Sequence, residues 1–471
     1  MEHTNTWKTY NQKQYKEAMA FGEDYKNFLN SAKTEREAID TIVNTIEQDG
    51  FVELEELIAK GKKLKAGDKV YSVHMNKSIA IFKIGKEPIE AGLNILGAHI
   101  DSPRLDIKQN PLYEEGGFAY LDTHYYGGVK KYQWVTIPLA LHGVVVKKDG
   151  TTIELAIGED EDDPVFFISD LLIHLAQEQM EKKAAKVIEG EALDLIIGNE
   201  PFVIRNGRKK EEDSEAKDLV KKGILDILKN NYGFEEEDFI SAELEVVPAG
   251  KARDAGFDRS MILGYGHDDR VCAYPSMRAI MEIGVPQRCA CCILVDKEEI
   301  GSVGATGMQS KFFENALAEV MALAGQYSDL ALRRALSNSF MLSSDVSSAF
   351  DPSYASSFDK KNVAFLGDGM VFNKFTGSRG KSGSNDANAE YIAQLRNVLD
   401  ADKVNFQTAE LGKVDLGGGG TIAYILALYG MNVIDSGVPV LSMHAPWEAI
   451  SKADLYEAKR GYITFLNKIG L

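Results

Sequence analysis

An α/β fold is predicted, with a mostly parallel central sheet flanked by helices on both faces and interrupted in the chain by an inserted β-rich domain. Three observations predict it. Short apolar runs such as Ile95-Leu96-Gly97-Ala98, Ile293-Leu294-Val295 and Met341-Leu342 alternate with stretches of helical periodicity, as strands and crossover helices do. These runs, like Val440-Leu441, end close to a histidine or an acid, the polarity found where the carboxyl ends of parallel strands gather ligands. Between the first run and the others lies the block 102–257, whose character differs. The expected domains are therefore 1–101 and 258–471, two parts of one α/β body, with 102–257 inserted between them.

Taken in order, residues 11–49 carry apolar positions at helical spacing before Gly50 and read as one long helical segment. A short helix is expected at 53–60 and strands at 71–84. In the insert, β-type runs at 142–146 and 153–157 flank Lys148-Asp149-Gly150 and predict a hairpin. Residues 169–188 read as helix, 207–215 as a charged loop, 216–230 as helix and 242–247 as strand. The later α/β part supplies helices at 268–283, 311–336, 388–399 and 422–428.

Composition sets limits. At 471 residues the chain exceeds the size at which one core keeps growing, which agrees with more than one domain. A formal net charge of −18 repels phosphate backbones and anionic lipid, so nucleic-acid and membrane partners are disfavoured. No apolar stretch is long enough for a membrane span, and the start Met1-Glu2-His3-Thr4-Asn5-Thr6-Trp7-Lys8 lacks a signal-peptide core, so a cytoplasmic location is expected. Cys289 and Cys292 form a Cys-X-X-Cys without a second pair, and Cys272, Cys289, Cys291 and Cys292 read as small buried hydrophobes.

The chemistry begins at Glu298-Glu299, adjacent acids that close an apolar run and precede Gly301-Ser302-Val303-Gly304. A carboxylate buried without compensation costs several kcal/mol or more, and a bound cation would supply the compensation. A cation needs several donors from different strands, and matching donors exist. His99-Ile100-Asp101 has the spacing at which a carboxylate can hydrogen-bond the imidazole nitrogen turned away from a metal. His267-Asp268-Asp269 opens a helix, Asp345 follows Met341-Leu342-Ser343-Ser344, and His444 follows Val440-Leu441-Ser442-Met443. Taken singly, each has an ordinary alternative, a hydrogen-bonded core histidine or an acidic helix start.

Taken together, His99-X-Asp101, Asp268-Asp269, Glu298-Glu299-Ile300-Gly301-Ser302, Asp345 and Met443-His444 stand in the order used by dinuclear zinc exopeptidases. More narrowly, Gly97-Ala98-His99-Ile100-Asp101-Ser102-Pro103-Arg104 and Leu441-Ser442-Met443-His444 resemble the aspartyl aminopeptidase and vacuolar aminopeptidase I family, over nearly the whole chain. The resemblance implies that His99 and Asp345 hold one metal, Glu299 and His444 the other, and that Asp268 bridges them. It leaves Glu298 as general base for the attacking water, a division that two-metal chemistry supports. It implies two Zn2+ per subunit, and the same donors accept Co2+ or Mn2+. It also implies a homododecamer built through the insert, with an insert histidine entering a neighbouring subunit's site. His174 is the matching residue, with His124 and His142 as alternatives.

Other stretches bear on substrate. Gly380-Lys381-Ser382 is no phosphate-binding loop, because Phe375 stands where that motif needs its first glycine. Gly417-Gly418-Gly419-Gly420 leads into an apolar helix, so Gly418 and Gly419 can offer amides to a substrate or simply allow close packing. Lys374, with Arg379 and Lys381, would face the acidic N-terminal residue that the family's name implies. The expected activity is a metal-dependent aminopeptidase acting on peptides with a free amino terminus, the α-amine held by carboxylates including Glu298. A carboxypeptidase or amide deacylase on the same centre is the alternative among enzymes, and a non-catalytic assembly protein the alternative of another class.

Overall fold

The computed structural model describes residues 4–202 and 217–470, so the charged loop expected at 207–215 lies outside the described residues. Two compact units emerge: Met1–Ser102, Ala252–Met443 and Trp447–Leu471 form the first, Pro103–Lys251 with His444–Pro446 the second.

The first unit is built on a nine-stranded sheet in the order Val52–Glu53, Lys69–His74, Ser78–Lys83, Cys289–Val295, Leu93–His99, Phe340–Ser344, Asn432–Gly437, Met370–Asn373, Phe406–Ala409. Its four central strands, from Cys289–Val295 to Asn432–Gly437, are mutually parallel. Antiparallel partners flank them on both sides. Because successive side chains point to opposite faces, the sheet separates two cores. Cys289, Cys291, Ile293 and Val295 pack on one side with the helices Phe312–Leu323 and Asp329–Ser337. Ala290, Cys292 and Leu294 pack on the other with Gln12–Asn30, Glu35–Gln48, His267–Glu282 and Lys452–Lys468. All four cysteines are buried and unpaired, as hydrophobes in these faces.

Three expectations are corrected here. The segment 11–49 is two helices, Gln12–Asn30 and Glu35–Gln48. Thr34 breaks it, accepting from Glu37 N while the Glu37 side chain caps back, so Thr-X-X-Glu starts a helix that apolar periodicity alone runs through. Residues 311–336 likewise divide into Phe312–Leu323 and Asp329–Ser337, with Ser328 capping the second. The run Pro439–Leu441 before His444 is not in the central sheet. It belongs to a five-stranded sheet ordered Arg253–Ala255, Met261–Gly264, Glu448–Ser451, Pro439–Leu441, Ser347–Ser348. The central strand is Asn432–Gly437, and the chain leaves it at Gly437, where an added Cβ would meet the Asp345 carbonyl oxygen.

The second unit holds a six-stranded sheet, antiparallel throughout among the described residues, that contains the expected hairpin of Leu139–Val146 and Thr152–Ile157. The helix expected at 169–188 forms only short turns, Ile173–Leu175, Gln177–Met180 and Ala184–Val187. Leu171, Leu172, Ile173 and Leu175 are exposed there, so no packed face rewards a longer helix. Within 216–230, the helix is Leu219–Ile227. No helix among the described residues is long and apolar enough to cross a membrane.

Candidate metal centre

His99 ends the strand Leu93–His99 in the middle of the sheet and is 1% exposed. Its Nδ1 lies 3.0 Å from the Asp101 carbonyl oxygen and 3.3 Å from Asp101 Oδ1. A carbonyl only accepts, so the proton sits on Nδ1 and the Nε2 lone pair is left for a metal. Around Nε2 stand Asp268 Oδ1 at 3.2 Å, Asp345 Oδ1 at 3.9 Å and Glu298 Oε2 at 3.9 Å.

Asp101 does more than orient the imidazole. Its Oδ1 accepts the Glu298 amide and its Oδ2 the Glu299 amide, each at 3.1 Å. That pair of bonds holds the turn Glu298–Ile300, which enters and leaves through left-handed Lys297 and Gly301. The two glutamates are thus presented from a pinned turn.

Asp268 opens the helix His267–Glu282 with non-helical φ and ψ, and its peptide bond to Asp269 is cis. Asp345 follows the strand Phe340–Ser344, its amide donating to the Ser436 carbonyl at 2.7 Å. Donor atoms of His99, Asp268 and Asp345 lie within 4.8 Å of one another, as do those of Asp268, Glu299 and His444. His444 belongs to residues 444–446, which are joined at both ends to the first unit, at Met443 and Trp447. Its Nδ1 is 3.0 Å from the Gly128 carbonyl oxygen, which again leaves Nε2 as the ligand nitrogen.

Electrostatics report the crowding. Burial raises the Asp345 carboxyl well above the usual range, and Asp269, Glu298 and Asp268 push it the same way while His99 opposes. Burial would lower the His99 imidazole, but Asp101 and Asp268 outweigh it and hold it well above its ordinary value. Carboxylates converging on two imidazoles suit divalent ions, with donor types that zinc, cobalt and manganese all accept.

The remaining expected residues are placed as follows. His174 lies exposed in the turn Ile173–Leu175. His142 is buried and bonds Glu159 at 3.1 Å, whereas His124 is exposed and stacks on Tyr125. Lys374 lies 3.6 Å from Asp386, and Lys381 both bonds Asp386 at 2.9 Å and sits over the Phe375 ring. At Gly418, φ is +115° and an added Cβ would meet Ser378 Cα at 2.4 Å. The Gly419 amide donates to Thr376 O at 2.9 Å. Close packing of two loops is therefore what the glycines visibly provide.

Sequence reasoning passed over Glu448 and Ser102; Glu448 opens the apolar run Ala449-Ile450, the reverse of Glu298-Glu299, which close one.

A family model described as aminopeptidase I zinc metalloprotease (M18) matches residues 28–466 of the chain. The chain belongs to the M18 family. A probable M18 family aminopeptidase 1 from Clostridium acetobutylicum is 60% identical over 466 residues, covering 99% of this chain and 98% of the relative. The crystal structure of aminopeptidase I from the same organism superposes with a TM-score of 0.91 at 59% identity, over 99% of each chain. An M18 aminopeptidase from Thermotoga maritima gives a TM-score of 0.92 at 43% identity over the full length of both. A structure of the S. cerevisiae mApe1 dodecamer, 18% identical, shares the fold with a TM-score of 0.75 over 94% of this chain and 96% of its own. This M18 chain is accordingly a hydrolase of the zinc aminopeptidase class.

Proposed function

We propose that this M18 aminopeptidase works through two divalent ions per subunit, His99 and Asp345 holding one, Glu299 and His444 the other, with Asp268 shared. The observation that carries this reading is that Asp268 belongs to both donor groups at once. Bound there, the ions would supply Lewis acidity toward the peptide carbonyl and the attacking water. Glu298 is the general base. It stands 3.9 Å from His99 Nε2 on a turn held by Asp101, and its role is to take the proton of the attacking water and deliver it to the leaving amine.

Three further parts belong to the proposal. Lys374 faces an acidic N-terminal side chain, in competition with Asp386, so the acidic preference is modest. The insert, 102–257, is the oligomerisation domain of a homododecamer, supported by exposed Phe167, Leu171, Leu172, Ile173 and Leu175, and His174 in that turn enters a neighbouring site. The protein acts in the cytoplasm, where peptides with free amino termini are its substrates.

The test compares a peptide anilide with a free amino terminus against its N-acetylated form, with and without chelator. Cleavage of the free form alone, lost on chelation and regained with zinc, supports the aminopeptidase; cleavage of the acetylated form supports a deacylase. Glu298→Gln should lower kcat by at least about 100-fold, the scale of general-base catalysis, while metal content stays at the wild-type value. Retained turnover would sink the base assignment. Replacing Lys374 by Ala should lower the ratio of kcat/KM for aspartyl over leucyl substrates. An unchanged ratio removes Lys374 from specificity.

A further inference from the structure

We infer that Glu448 and Ser102 are positioning residues that clamp the peptide of Asp268 and so keep its carboxylate where both ions can share it; this rests on the dinuclear reading above. Asp268 lies in the first turn of a helix with φ −80° and ψ 104°, where an N–H has no acceptor within the helix. The residue is only 3% exposed, and an unmet backbone group there would cost stability. Two side chains meet the need. The N–H donates to Glu448 Oε2 at 3.1 Å, and the C=O accepts from Ser102 Oγ at 2.5 Å. Both side chains are themselves buried, Glu448 to 2% and Ser102 to 1% exposure.

Where the clamps come from gives them meaning. Ser102 lies three residues after His99, and Glu448 four residues after His444. Glu448 opens the strand Glu448–Ser451 and pairs with Gly264 of Met261–Gly264, the strand that leads directly into the Asp268 helix. Each outer histidine therefore travels with a side chain that grips the shared aspartate. Asp101 performs the corresponding task for the Glu298-Glu299 turn. Every carboxylate in the second donor group is thus presented from a backbone held by a buried side chain from another segment.

The experiment uses the full chain, stripped of metal and titrated with zinc against a chromophoric chelator, with stoichiometry read by elemental analysis. Wild type should take two zinc ions per chain. Glu448→Ala should weaken zinc binding about 10- to 100-fold, the range for lost outer contacts of metal ligands. Glu448→Gln, which keeps an acceptor oxygen, should stay within about threefold of wild type by the same measure. Ser102→Ala should show the same direction as Glu448→Ala and serves if that variant fails to fold. Glu457→Gln is the control for a buried glutamate bonded elsewhere, to Asn405 N and Arg460: it should lower Tm and leave zinc affinity alone. Wild-type zinc affinity in both Glu448→Ala and Ser102→Ala overturns the clamp. A wild-type stoichiometry of one ion instead overturns the dinuclear reading on which the clamp rests.

Discussion

Asp101 is the residue whose replacement separates orientation from ligation. Both its carboxylate oxygens are used on the Glu298 and Glu299 amides, and an asparagine can accept only one of them while aiming an NH2 at the other. Asp101→Asn is expected to lower kcat/KM at saturating zinc and to weaken zinc binding about tenfold, measured by chelator competition; unaltered values for both would show that the turn holds without it. Asp435 offers a pH prediction of a different kind. Burial raises its carboxyl to about 7, with the Thr421 hydroxyl bonded to Oδ1 pulling the other way. A folded pKa above the unfolded value means stability that is complete at low pH, below about 3.9, and lost as pH rises through about 7. Between pH 5 and pH 8 the wild type should lose about 2 kcal/mol that Asp435→Asn does not lose, read as urea midpoints at saturating zinc. Parallel pH profiles for the two proteins would refute the assignment.

Among the elements, the second helix exists because of its cap. Thr34 and Glu37 satisfy each other's backbone amides, and Thr34→Ala should destabilise the protein by about 1 kcal/mol without touching activity. The first helix is locked by a charge. Lys452, fully buried, crosses Gly22 to reach Asp254 at 2.8 Å and Glu23 at 3.3 Å. A Cβ at Gly22 would sit 2.8 Å from the lysine Cγ and Cδ, so Gly22→Ala should cost about 1–3 kcal/mol through overpacking. A thermal shift of zero would show that Lys452 repacks. The helices read at 268–283 and 388–399 were legible from apolar spacing, and form as His267–Glu282 and Ala389–Ala401. The breaks at 31–34 and 324–328 were not, because the periodicity resumes in phase beyond them and only the capping side chains mark the interruption.

On the scale of the whole molecule, His99, Glu299 and Asp345 of the candidate centre follow central strands at their carboxyl ends, and on the proposed reading the converging acids repel one another whenever the ions are withdrawn. Chelation should therefore lower Tm, and zinc should raise it in proportion to the logarithm of its free concentration, by about 2.7 kcal/mol of stability at a hundred times Kd. A Tm indifferent to chelator would sink the two-ion reading. The apolar turn of the second unit makes a separate prediction for assembly. Leu175→Glu, at a side chain 70% exposed in the single chain, should shift the mass in light scattering toward smaller species if that turn lies in an interface.

Residue order brought out His99, Asp268-Asp269, Glu298-Glu299, Asp345 and His444 as candidate donors, because polar groups that end apolar runs contradict the usual economy of burial, and the family resemblance chose Asp268 and Glu299 from the pairs. Residue order also conveyed the α/β alternation, since strand and helix periods are local properties of the chain. Only the tertiary structure decided that the run before His444 joins a separate small sheet, that Asp101 spends its oxygens on the Glu298-Glu299 turn, and that Ser102 and Glu448 hold Asp268. Those bonds span 166 to 198 residues of chain, and a hydrogen bond across such a separation leaves no periodic trace in either segment. It exists only once the two cores have packed against the sheet and brought the segments together.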